Sequence, residues 1–397
     1  MPIVIKLTIR NVFRPARFRA VSATSRPVRG AELKKRILSC GEALGFRNPG
    51  VARLAPLDRD AYFNDWLADG RAGDMRFLEH HKKARLDPHS RFPWARSVLS
   101  ASYPYAPPAR SAPAPWRKEM RGRIAAYAVG RDYHLEMDAL LKRWATEIAV
   151  LLPDSQSRTY VDTGPIFEHE WAERAGVGWT GKHTLTLDRE SGSWGFLGEI
   201  LLEVELEPDK ASPNHCGTCR RCIDSCPTDA IRGPYDLDPR LCISYLTIEH
   251  KGVVERHLRP KMGEWLFGCD LCQIACPWND EGDFNPELHP RLDAILAMDE
   301  EDFTRRFAGT PLERTGPERL KRNAAIVAGN TANPEILHSL GRALQDPSDL
   351  VRTHATWAVG QIQGEPIRRR SLLEKMLRDE VPLVVEEAEA CLQEEAS

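Results

Sequence analysis

Eight of the ten cysteines in this 397-residue chain fall between positions 216 and 276, in two related runs. The first run, at 216–227, has the spacing C-x2-C-x2-C-x3-C-P, and the second, at 269–277, has C-x2-C-x3-C-P. Closely spaced thiolates are soft ligands that select zinc or iron–sulfur clusters. A zinc ribbon uses two C-x2-C pairs separated by a loop, whereas three thiolates in immediate succession suit one corner of a [4Fe–4S] cluster. The spacing therefore predicts iron–sulfur clusters rather than zinc.

The eight cysteines divide into two complete ligand sets. In bacterial two-cluster ferredoxins, the fourth cysteine of such a run ligates the other cluster. The second run has only three cysteines, and Cys242 is the remaining cysteine of the region that can complete it. The predicted ligands of one [4Fe–4S] cluster are Cys216, Cys219, Cys222 and Cys276, and those of the other are Cys226, Cys242, Cys269 and Cys272. Cys40 and Cys391 stand alone in helical segments and are predicted to be buried apolar side chains.

Helices and short strands alternate between residues 30 and 205, before the cysteine runs. Apolar residues at helical spacing predict helices at 30–46, 60–70 and 134–152. β-Rich segments bounded by Gly, Pro or Asp predict strands at 97–105, 158–164, 183–188 and 195–206. This alternation predicts an α/β layer, in which ligands gather at strand ends. The chain has neither a G-x-G-x-x-G turn after a strand nor a G-x4-G-K-[ST] loop, so nicotinamide and nucleoside triphosphate sites have no support.

Three polar segments of this layer are candidates for binding or catalysis. Asp162 ends a β-rich run, a position where a carboxylate is more often a turn or N-cap residue than a catalytic group. Lys182 lies in the Gly-rich turn GWTGKH, which suits either an anion site or a solvated loop. Asp132 and His134 match part of the D-x-H-x-x-G corrinoid-binding pattern, but Met137 occupies the glycine position. That particular mode of binding is therefore not supported.

The last 110 residues or so contain a helical repeat. Positions of equal type recur at spacings of about 31 to 33 residues: Leu320, Val351 and Val384, and in the same register Ala324, Ala355 and Ala388. HEAT-type repeats of this kind stack into a concave surface that binds macromolecules. The basic residues that can contact phosphates there are Arg305, Arg306, Arg314, Arg319, Lys321, Arg322, Arg342, Arg352, Arg368, Arg369 and Arg370. An ordinary solvated helical bundle is the alternative interpretation.

Taken together and in order, the motifs of residues 30–395 resemble those of the epoxyqueuosine reductases. The motifs that carry the resemblance, besides both cysteine runs, are RLDP (85–88), YAVGRDYH (127–134), VDTGP (161–165), AGVGWTGKHTLTL (175–187), GSWGFLGEI (192–200), CISYLTIEHKG (242–252) and GCDLCQIACPWN (268–279). The resemblance implies an enzyme that reduces epoxyqueuosine to queuosine at the wobble position of tRNA. It also implies that electrons pass through two [4Fe–4S] clusters to cobalamin.

The resemblance implies a multidomain α+β fold with site residues at matching positions. Residues 30–205 are expected to form an α/β cobalamin-binding domain like that of reductive dehalogenases, 206–290 a ferredoxin-like module with two clusters, and 291–397 HEAT-like helical repeats. Asp162 is implied as the proton donor facing the cofactor, and an apolar pocket is expected to raise its pKa. The candidates for cobalamin contacts are Arg85, Tyr127, Asp162, Lys182, Ser244 and Gln273. Ser244 and Gln273 lie beside cluster ligands, so contact with the substrate and simple packing of the cluster loop are alternatives for these two.

The remaining expectations follow from charge and composition. The formal net charge is −2, and no apolar run reaches the length of a membrane span, so no membrane association is expected. Residues 1–29 are basic and free of acidic residues, which suits a transit peptide, although an unstructured extension is the preferred interpretation. We expect a cytoplasmic monomer that receives electrons from flavodoxin, ferredoxin or a similar donor.

Two alternatives belong to other classes of protein. A cobalamin-dependent reductive dehalogenase of small organohalides would use the same cofactors, but such enzymes are typically exported with a twin-arginine signal, and no Arg-Arg pair stands near the start of this chain. A ferredoxin-type electron carrier would explain the cysteines but not Asp162, Lys182 and the basic repeats.

Overall fold

The computed structural model describes residues 30–110 and 116–396, so the predicted basic extension at 1–29 lies outside the described residues. The helices that precede the cysteine runs are α1 (Gly30–Ala43), α2 (Asp60–Ala68), α3 (Phe77–His80), α4 (Lys82–Leu86), α5 (Trp116–Glu119), α6 (Tyr133–Leu151) and α7 (Glu168–Arg174). The strands of the same part are β1 (Arg47–Arg53), β2 (Ser97–Pro104), β3 (Arg123–Ile124), β4 (Ser157–Tyr160), β5 (Trp179–Thr180), β6 (Thr186–Leu187) and β7 (Gly195–Leu202).

Four of these strands form a sheet with the order β1-β2-β7-β4, in which each neighbouring pair is antiparallel. Helices cover both faces, as the alternation of helices and strands predicts. On one face Ile37 of α1 and Leu141 and Trp144 of α6 are buried against the sheet, and Trp144 Nε1 donates a hydrogen bond of 2.8 Å to the Ile37 carbonyl. On the other face α7 buries Trp171 and Ala172. The sheet is therefore a rigid middle layer whose loops can hold a site.

The cysteine segment consists of short elements joined by turns. Its helices are α8 (Arg221–Asp224), α9 (Ile243–Ile248) and α10 (Leu271–Ile274), and its strands are β8 (Ile231–Gly233), β9 (Asp236–Leu237) and β10 (Trp265–Phe267). The strand β10 pairs in parallel with β3, which ties this segment to the N-terminal part of the chain. None of the ten cysteines, all of which lie in the described residues, forms a disulfide; Cys391 is buried as predicted, whereas Cys40 is only half-buried.

The C-terminal part is helical, as the repeat predicts. Its helices are α11 (Leu292–Leu296), α12 (Glu300–Phe307), α13 (Gly316–Thr331), α14 (Leu337–Ala343), α15 (Asp349–Gln361), α16 (Pro366–Met376) and α17 (Pro382–Ala396). All six repeated positions are at most 1% exposed, because α13, α15 and α17 pack side by side through them. Short 3₁₀ turns at Pro88–Ser90, Ala126–Ala128, Pro239–Leu241, Pro260–Met262, Pro286–Leu288, Pro311–Thr315 and Pro334–Ile336 connect the elements of the chain. Among the described helices, none is long and apolar enough to cross a bilayer.

One apolar core runs from the cysteine segment into the helical repeats and crosses the predicted boundary at 290/291. Arg322 of α13 is fully buried within it and donates to the backbone carbonyls of Leu246 (2.6 Å), His250 (2.7 Å) and Gly252 (3.0 Å). Burial lowers the pKa of Arg322 to about 9. Because α9 begins next to Cys242, the first repeat helix helps to fix the loop that carries one of the predicted ligands. The division of the chain into domains stays a prediction.

Replacing Arg322 by alanine is expected to destabilise the protein by roughly 3 kcal/mol or more, because three buried carbonyl groups lose their donor and each costs about 1–3 kcal/mol. Urea unfolding of Arg322→Ala should show a lower midpoint than the parent. Exposed Arg306 is a matched control, and Arg306→Ala should change the free energy of unfolding by no more than about 0.5 kcal/mol. An unchanged midpoint for Arg322→Ala would contradict this role.

Candidate functional site

A cavity of about 820 Å³ opens between the sheet layer and the cysteine segment. This volume lies in the range of pockets that bind cofactors and other organic ligands. Residues from three parts of the chain line it: Asp132, Tyr133, His134 and Asp162 from the sheet layer, Cys226, Cys242, Cys269 and Cys272 from the cysteine segment, and Arg314 from the turn before α13. The cavity thus joins the candidate acid to one of the two predicted ligand sets.

The first set of thiols, Cys216, Cys219, Cys222 and Cys276, lies together outside the cavity lining. Burial, together with its three partner thiols, raises the pKa of Cys276 to about 11. Trp179 packs against this set and has a buried indole N–H without a hydrogen-bond partner. An iron–sulfur cluster offers sulfur acceptors to such a donor, so the residues present fit a cluster at this position.

The second set, Cys226, Cys242, Cys269 and Cys272, is the group that lines the cavity. Burial raises the pKa of Cys269, and the thiols of Cys272 and Cys242 raise it further. Burial also raises the pKa of Cys242, and the thiol of Cys226 adds to this increase. Four neighbouring cysteine thiols are the donor set that a [4Fe–4S] cluster requires, and these four are half-buried beside the cavity. In the described part of the chain, no group of three or more His, Cys, Asp or Glu side chains has the arrangement of a site for a single metal ion.

The grouping of the eight thiols is the one that their spacing predicts, although the assignment of each thiol to a cluster stays a prediction. The helices α8 and α10 pack against each other and bring the two cysteine runs together. Lys182 stabilises the first cysteine run, because its ammonium group donates hydrogen bonds to the backbone carbonyls of Gly217 (2.6 Å) and Cys219 (2.8 Å).

Asp162 lies just beyond β4, as predicted, and almost half of its side chain, 47%, is accessible from the cavity. Its Oδ2 accepts hydrogen bonds from the Tyr133 hydroxyl (3.1 Å) and interacts with His134 Nε2 at 3.0 Å. Its backbone has a φ of 53°, in the left-handed region that residues with a Cβ rarely adopt. A strained carboxylate aimed at a cavity is typical of a functional site.

The predicted upward shift in the pKa of Asp162 is wrong for this arrangement. Burial does raise the pKa, but the hydrogen bonds from His134 and Tyr133 and the charge of Arg314 outweigh it and lower the pKa below its usual range. Tyr133 keeps its proton, because burial and the Asp162 carboxylate raise its own pKa. The carboxylate of Asp162 is therefore ionised, and the largest contribution that lowers its pKa comes from one neighbour.

That neighbour is His134, which sequence reasoning missed as a site residue. Its ring bridges two carboxylates: Nδ1 lies 2.8 Å from Asp132 Oδ1, and Nε2 faces Asp162. Burial lowers the pKa of His134, but the hydrogen bonds to Asp162 and Asp132 outweigh it and raise the pKa above its ordinary value. The signal was present in the partial D-x-H-x-x-G pattern, which brings Asp132 and His134 to the cavity even though Met137 replaces its glycine.

The structure brings four of the six predicted cofactor contacts to the cavity: Tyr127, Asp162, Ser244 and Gln273. Arg85 and Lys182 are not among the lining residues. Arg85 is buried, donates to the Ile166 carbonyl at 3.0 Å and lies over the Phe167 ring, so it holds the chain that follows Asp162. Both basic groups are thus committed to backbone carbonyls, which the sequence alone does not reveal.

The neighbour of Lys182 reaches the cavity in its place. His183 is 4% exposed and lines the cavity, and its Nδ1 accepts the Leu185 N–H at 3.2 Å. Its Nε2 therefore carries the proton and has no hydrogen-bond partner among residues 30–110 and 116–396. Burial, with a contribution from His169, lowers the pKa of His183 to about 4, so the ring is neutral. A free buried donor in a cavity of this size fits a large ligand rich in amide and phosphate oxygens, such as cobalamin.

Three family models match this chain. A 4Fe-4S double cluster binding domain matches residues 215–279, the epoxyqueuosine reductase QueG domain (DUF1730) matches residues 85–163, and HEAT repeats match residues 311–393. The first and third confirm the predicted iron–sulfur module and helical repeats.

Curated relatives agree over most of their length. The epoxyqueuosine reductase of Xanthomonas campestris pv. campestris is 40% identical, over 82% of this chain and 95% of the relative. That of Pseudomonas aeruginosa is 38% identical, over 83% of this chain and 94% of the relative.

Solved structures of the same enzymes superpose well on this fold. An epoxyqueuosine reductase bound to an epoxyqueuosine-modified tRNA-Tyr stem loop has a TM-score of 0.79 at 28% identity, covering 91% of this chain and 98% of that one. The epoxyqueuosine reductase of Bacillus subtilis, solved with an aspartate-containing catalytic loop swung out of the active site, has a TM-score of 0.80 at 27% identity over the same shares of the two chains. On the strength of 40% identity across nearly the whole of a curated relative, the chain belongs to the epoxyqueuosine reductase family.

Proposed function

We propose that this enzyme reduces the epoxide of epoxyqueuosine in tRNA, with cobalamin bound in the 820 Å³ cavity, two [4Fe–4S] clusters as its electron supply and Asp162 as the proton donor. The observation that carries the proposal is the cavity itself, because its lining contains both a set of four cysteine thiols and the Asp162–His134 pair. Family membership supports the reaction, and a relative solved with a modified tRNA stem loop supports the substrate.

Tyr127, Ser244, Gln273 and His183 are the residues that would hold cobalamin. When bound, cobalamin supplies the redox-active cobalt centre that faces the substrate. Gln273 is already fixed, because its amide donates to the Tyr105 hydroxyl and to Ser193. His183 offers an unused N–H, and Ser244 and Tyr127 offer hydroxyl groups for the amides of the corrin. Arg85 and Lys182 act one layer further out, by holding the Asp162 loop and the first cysteine run.

Removing the epoxide oxygen as water, with formation of the carbon–carbon double bond, consumes two electrons and two protons. The Asp162–His134 pair holds a proton at the cavity, on the imidazolium side of the 3.0 Å contact. This proton moves from His134 Nε2 to Asp162 Oδ2 and from there to the leaving oxygen, and His134 then takes up the second proton from solvent. Asp132 stabilises the charged imidazole from the other side, and Tyr133 fixes the carboxylate. Asp162 thus acts as a general acid although its own pKa is low, because its neighbour stores the proton.

The positions of the two thiol sets support the proposed route of electrons. The loop that carries the first set is open to solvent at Gly217, Thr218, Arg220 and Arg221. The second set lines the cavity. An external donor would therefore deliver electrons at the first set, and the second set lies next to the reaction. The identity of that donor, the monomeric state and the cytoplasmic location stay predictions from the sequence.

The basic residues of the helical repeats divide into two groups. Arg319, Arg322, Arg352, Arg369 and Lys321 are wholly or largely buried and bond to carbonyl or carboxylate groups, so they stabilise the repeats. Arg305, Arg306, Arg314, Arg342, Arg368 and Arg370 are exposed. We assign phosphate contacts to the exposed group alone, with Arg314 closest to the substrate because it also lines the cavity.

Metal analysis tests the cofactor content. Anaerobically reconstituted protein should contain about eight irons and one cobalt per chain. Cys242→Ser should lose about half of the iron, because it removes a ligand from the set that lines the cavity, whereas Cys40→Ser should keep all of it. Stoichiometric zinc without iron, or full iron in Cys242→Ser, would contradict the assignment.

Replacing Asp162 by asparagine tests the acid. The variant keeps the shape of the side chain but cannot deliver a proton, so turnover should fall by roughly 10²–10⁴-fold while iron, cobalamin and tRNA affinity stay unchanged. Asp138→Asn, which alters an exposed carboxylate paired with Lys142, is the control and should behave like the parent. Near-normal turnover of Asp162→Asn would move the role to another group, and loss of cobalamin would make Asp162 a structural ligand.

The pH dependence of turnover tests the part played by His134. Because the pKa of His134 is raised, the proton is present at low pH and is lost only as the pH rises through a value above the ordinary value of about 6.5. Turnover should therefore decline on the alkaline side of that value. His134→Gln should be slower and should lack this decline. An unaltered pH profile in His134→Gln would exclude His134 as the proton store.

Neutralising the exposed arginines tests the tRNA surface. A variant with Arg306, Arg342 and Arg368 changed to glutamine should show a higher KM for modified tRNA and an unchanged kcat. The slope of log affinity against log salt should become shallower by about two, because fewer phosphates are neutralised. The matched control changes Lys35, Arg53 and Arg143, which are exposed on the sheet layer, to glutamine. Equal effects of both variants would show that the repeats have no special share in binding.

A further inference from the structure

Glu168 and Glu199 are two carboxyl side chains near Asp162 that the proposed mechanism does not use. Glu199 stands on β7, where it is opposite Ser100 of β2 on one side and Tyr160 of β4 on the other. It is 0% exposed. Glu168 is the first residue of α7 and follows the Asp162 loop, which we define as residues 161–167. A glutamate in the middle of a buried strand is costly unless its carboxyl group has partners.

The two carboxyl groups lie next to each other, and Glu168 contributes to the raised pKa of Glu199. Ser100 Oγ donates to Glu199 Oε1 at 3.2 Å. Glu168 Oε1 and Glu199 Oε2 are buried, and neither oxygen has a hydrogen-bond partner among the described residues. Two carboxylates in contact cannot both be ionised, so at least one proton lies between them. The charged and titratable groups that face the pair are Asp162, Arg85 and Tyr133.

Titration of the pair agrees with a shared proton. Burial raises the pKa of Glu168 to about 8, and the charge of Asp162 adds to this effect. Burial also raises the pKa of Glu199, to which Glu168 contributes. The pair therefore retains a proton at neutral pH.

Glu168 also contacts the residue that the mechanism depends on. The backbone N–H of Asp162, the residue with a φ of 53°, lies close enough to the Glu168 carboxyl group to lower its pKa. A left-handed backbone at a residue with a Cβ persists only where neighbouring groups hold it. At the far end of the same loop, Arg85 donates to the Ile166 carbonyl and lies over the Phe167 ring. Both ends of the Asp162 loop are thus tied to buried charged or polar groups.

We propose that Glu168 and Glu199 share a proton and together hold the Asp162 loop in its left-handed conformation, which positions Asp162 Oδ2 against His134 and Tyr133. They are positioning residues, because neither lines the cavity. The catalytic part of this inference rests on the proposed function of Asp162, whereas the shared proton does not.

The first measurement concerns stability and is independent of activity. The folded pKa of the pair lies above the unfolded value of about 4.3, so its stabilising contribution is present at low pH and is lost as the pH rises towards 8. Glu199→Gln keeps a donor for Glu168 and removes one titrating group, so its Tm should fall less between about pH 5 and pH 8 than that of the parent. Glu205→Gln, at an exposed site, should reproduce the parent curve. If the curves of Glu199→Gln and the parent are the same, the shared proton is refuted.

The second measurement concerns turnover, at a temperature well below the Tm of every variant. Glu199→Leu should lower kcat about 10- to 100-fold with an unchanged KM for tRNA, and Glu199→Gln should stay within about threefold of the parent. In an Asp162→Asn background, Glu199→Leu should cause no further loss, because it acts through Asp162. A further loss of similar size in that background, or equal loss in both Glu199 variants, would overturn the positioning role. If Asp162→Asn alone is fully active, the proposed function fails, and the stability curves still decide whether the proton is shared.

Discussion

The contact between His134 Nε2 and Asp162 Oδ2 joins two segments that the fold must bring together before the site can work. His134 belongs to the first turn of α6. The N-cap residue of this helix, Asp132, also accepts a hydrogen bond from Nδ1 of the His134 ring. Asp162 belongs to the loop after β4, in a backbone conformation that is costly without support. The 3.0 Å contact therefore depends on the packing of α6 against the sheet and on the buried groups beneath the loop. A shift of either segment would leave an isolated carboxylate with no proton to give.

The other side of the site depends on packing between parts of the chain that are far apart in sequence. Besides the tRNA surface that we propose for them, the repeats hold the cysteine segment, because Arg322 and Asn323 of α13 bond to the backbone around α9 and β10. A second link is the buried ion pair between Arg259 and Glu387, 2.8 Å apart, which joins the cysteine segment to α17. The proposed tRNA surface and the proposed ligand loops therefore share one core.

The sequence predicted features that depend on local spacing. The cysteine intervals predicted an iron–sulfur module, which the double-cluster family model confirms, and the recurrence of small apolar residues predicted the packed repeat helices. The resemblance led to the family that the comparisons show. The strand β1, with sequence RNPGVAR, was not predicted, because Pro and Gly interrupt its β pattern and its pairing with β2 is long-range. Family membership also favours the reductase over the electron carrier.

Contacts between charged groups that are distant in the sequence could not be predicted from the sequence. Arg85, Lys182 and Arg322 look like anion-binding groups until their buried carbonyl partners are known. The sequence predicts burial of Asp162, which raises its pKa, but does not reveal the contact with His134, which lowers that pKa. Likewise, nothing in the sequence suggests that Glu168 and Glu199 meet, since 31 positions separate them and each is an ordinary glutamate in its own segment.

The central claim is that cobalamin binds in the cavity, between the cluster of the second thiol set and the Asp162–His134 pair. Anomalous diffraction at the cobalt and iron edges, from crystals of the anaerobically reconstituted protein with cobalamin, measures this directly. The account predicts one cobalt position inside the cavity, within reach of Asp162, and iron at both thiol sets, with the set of Cys242, Cys269 and Cys272 nearer to the cobalt. Cobalt bound elsewhere, or iron nearest to the cobalt at the set of Cys216, Cys219 and Cys222, would contradict it.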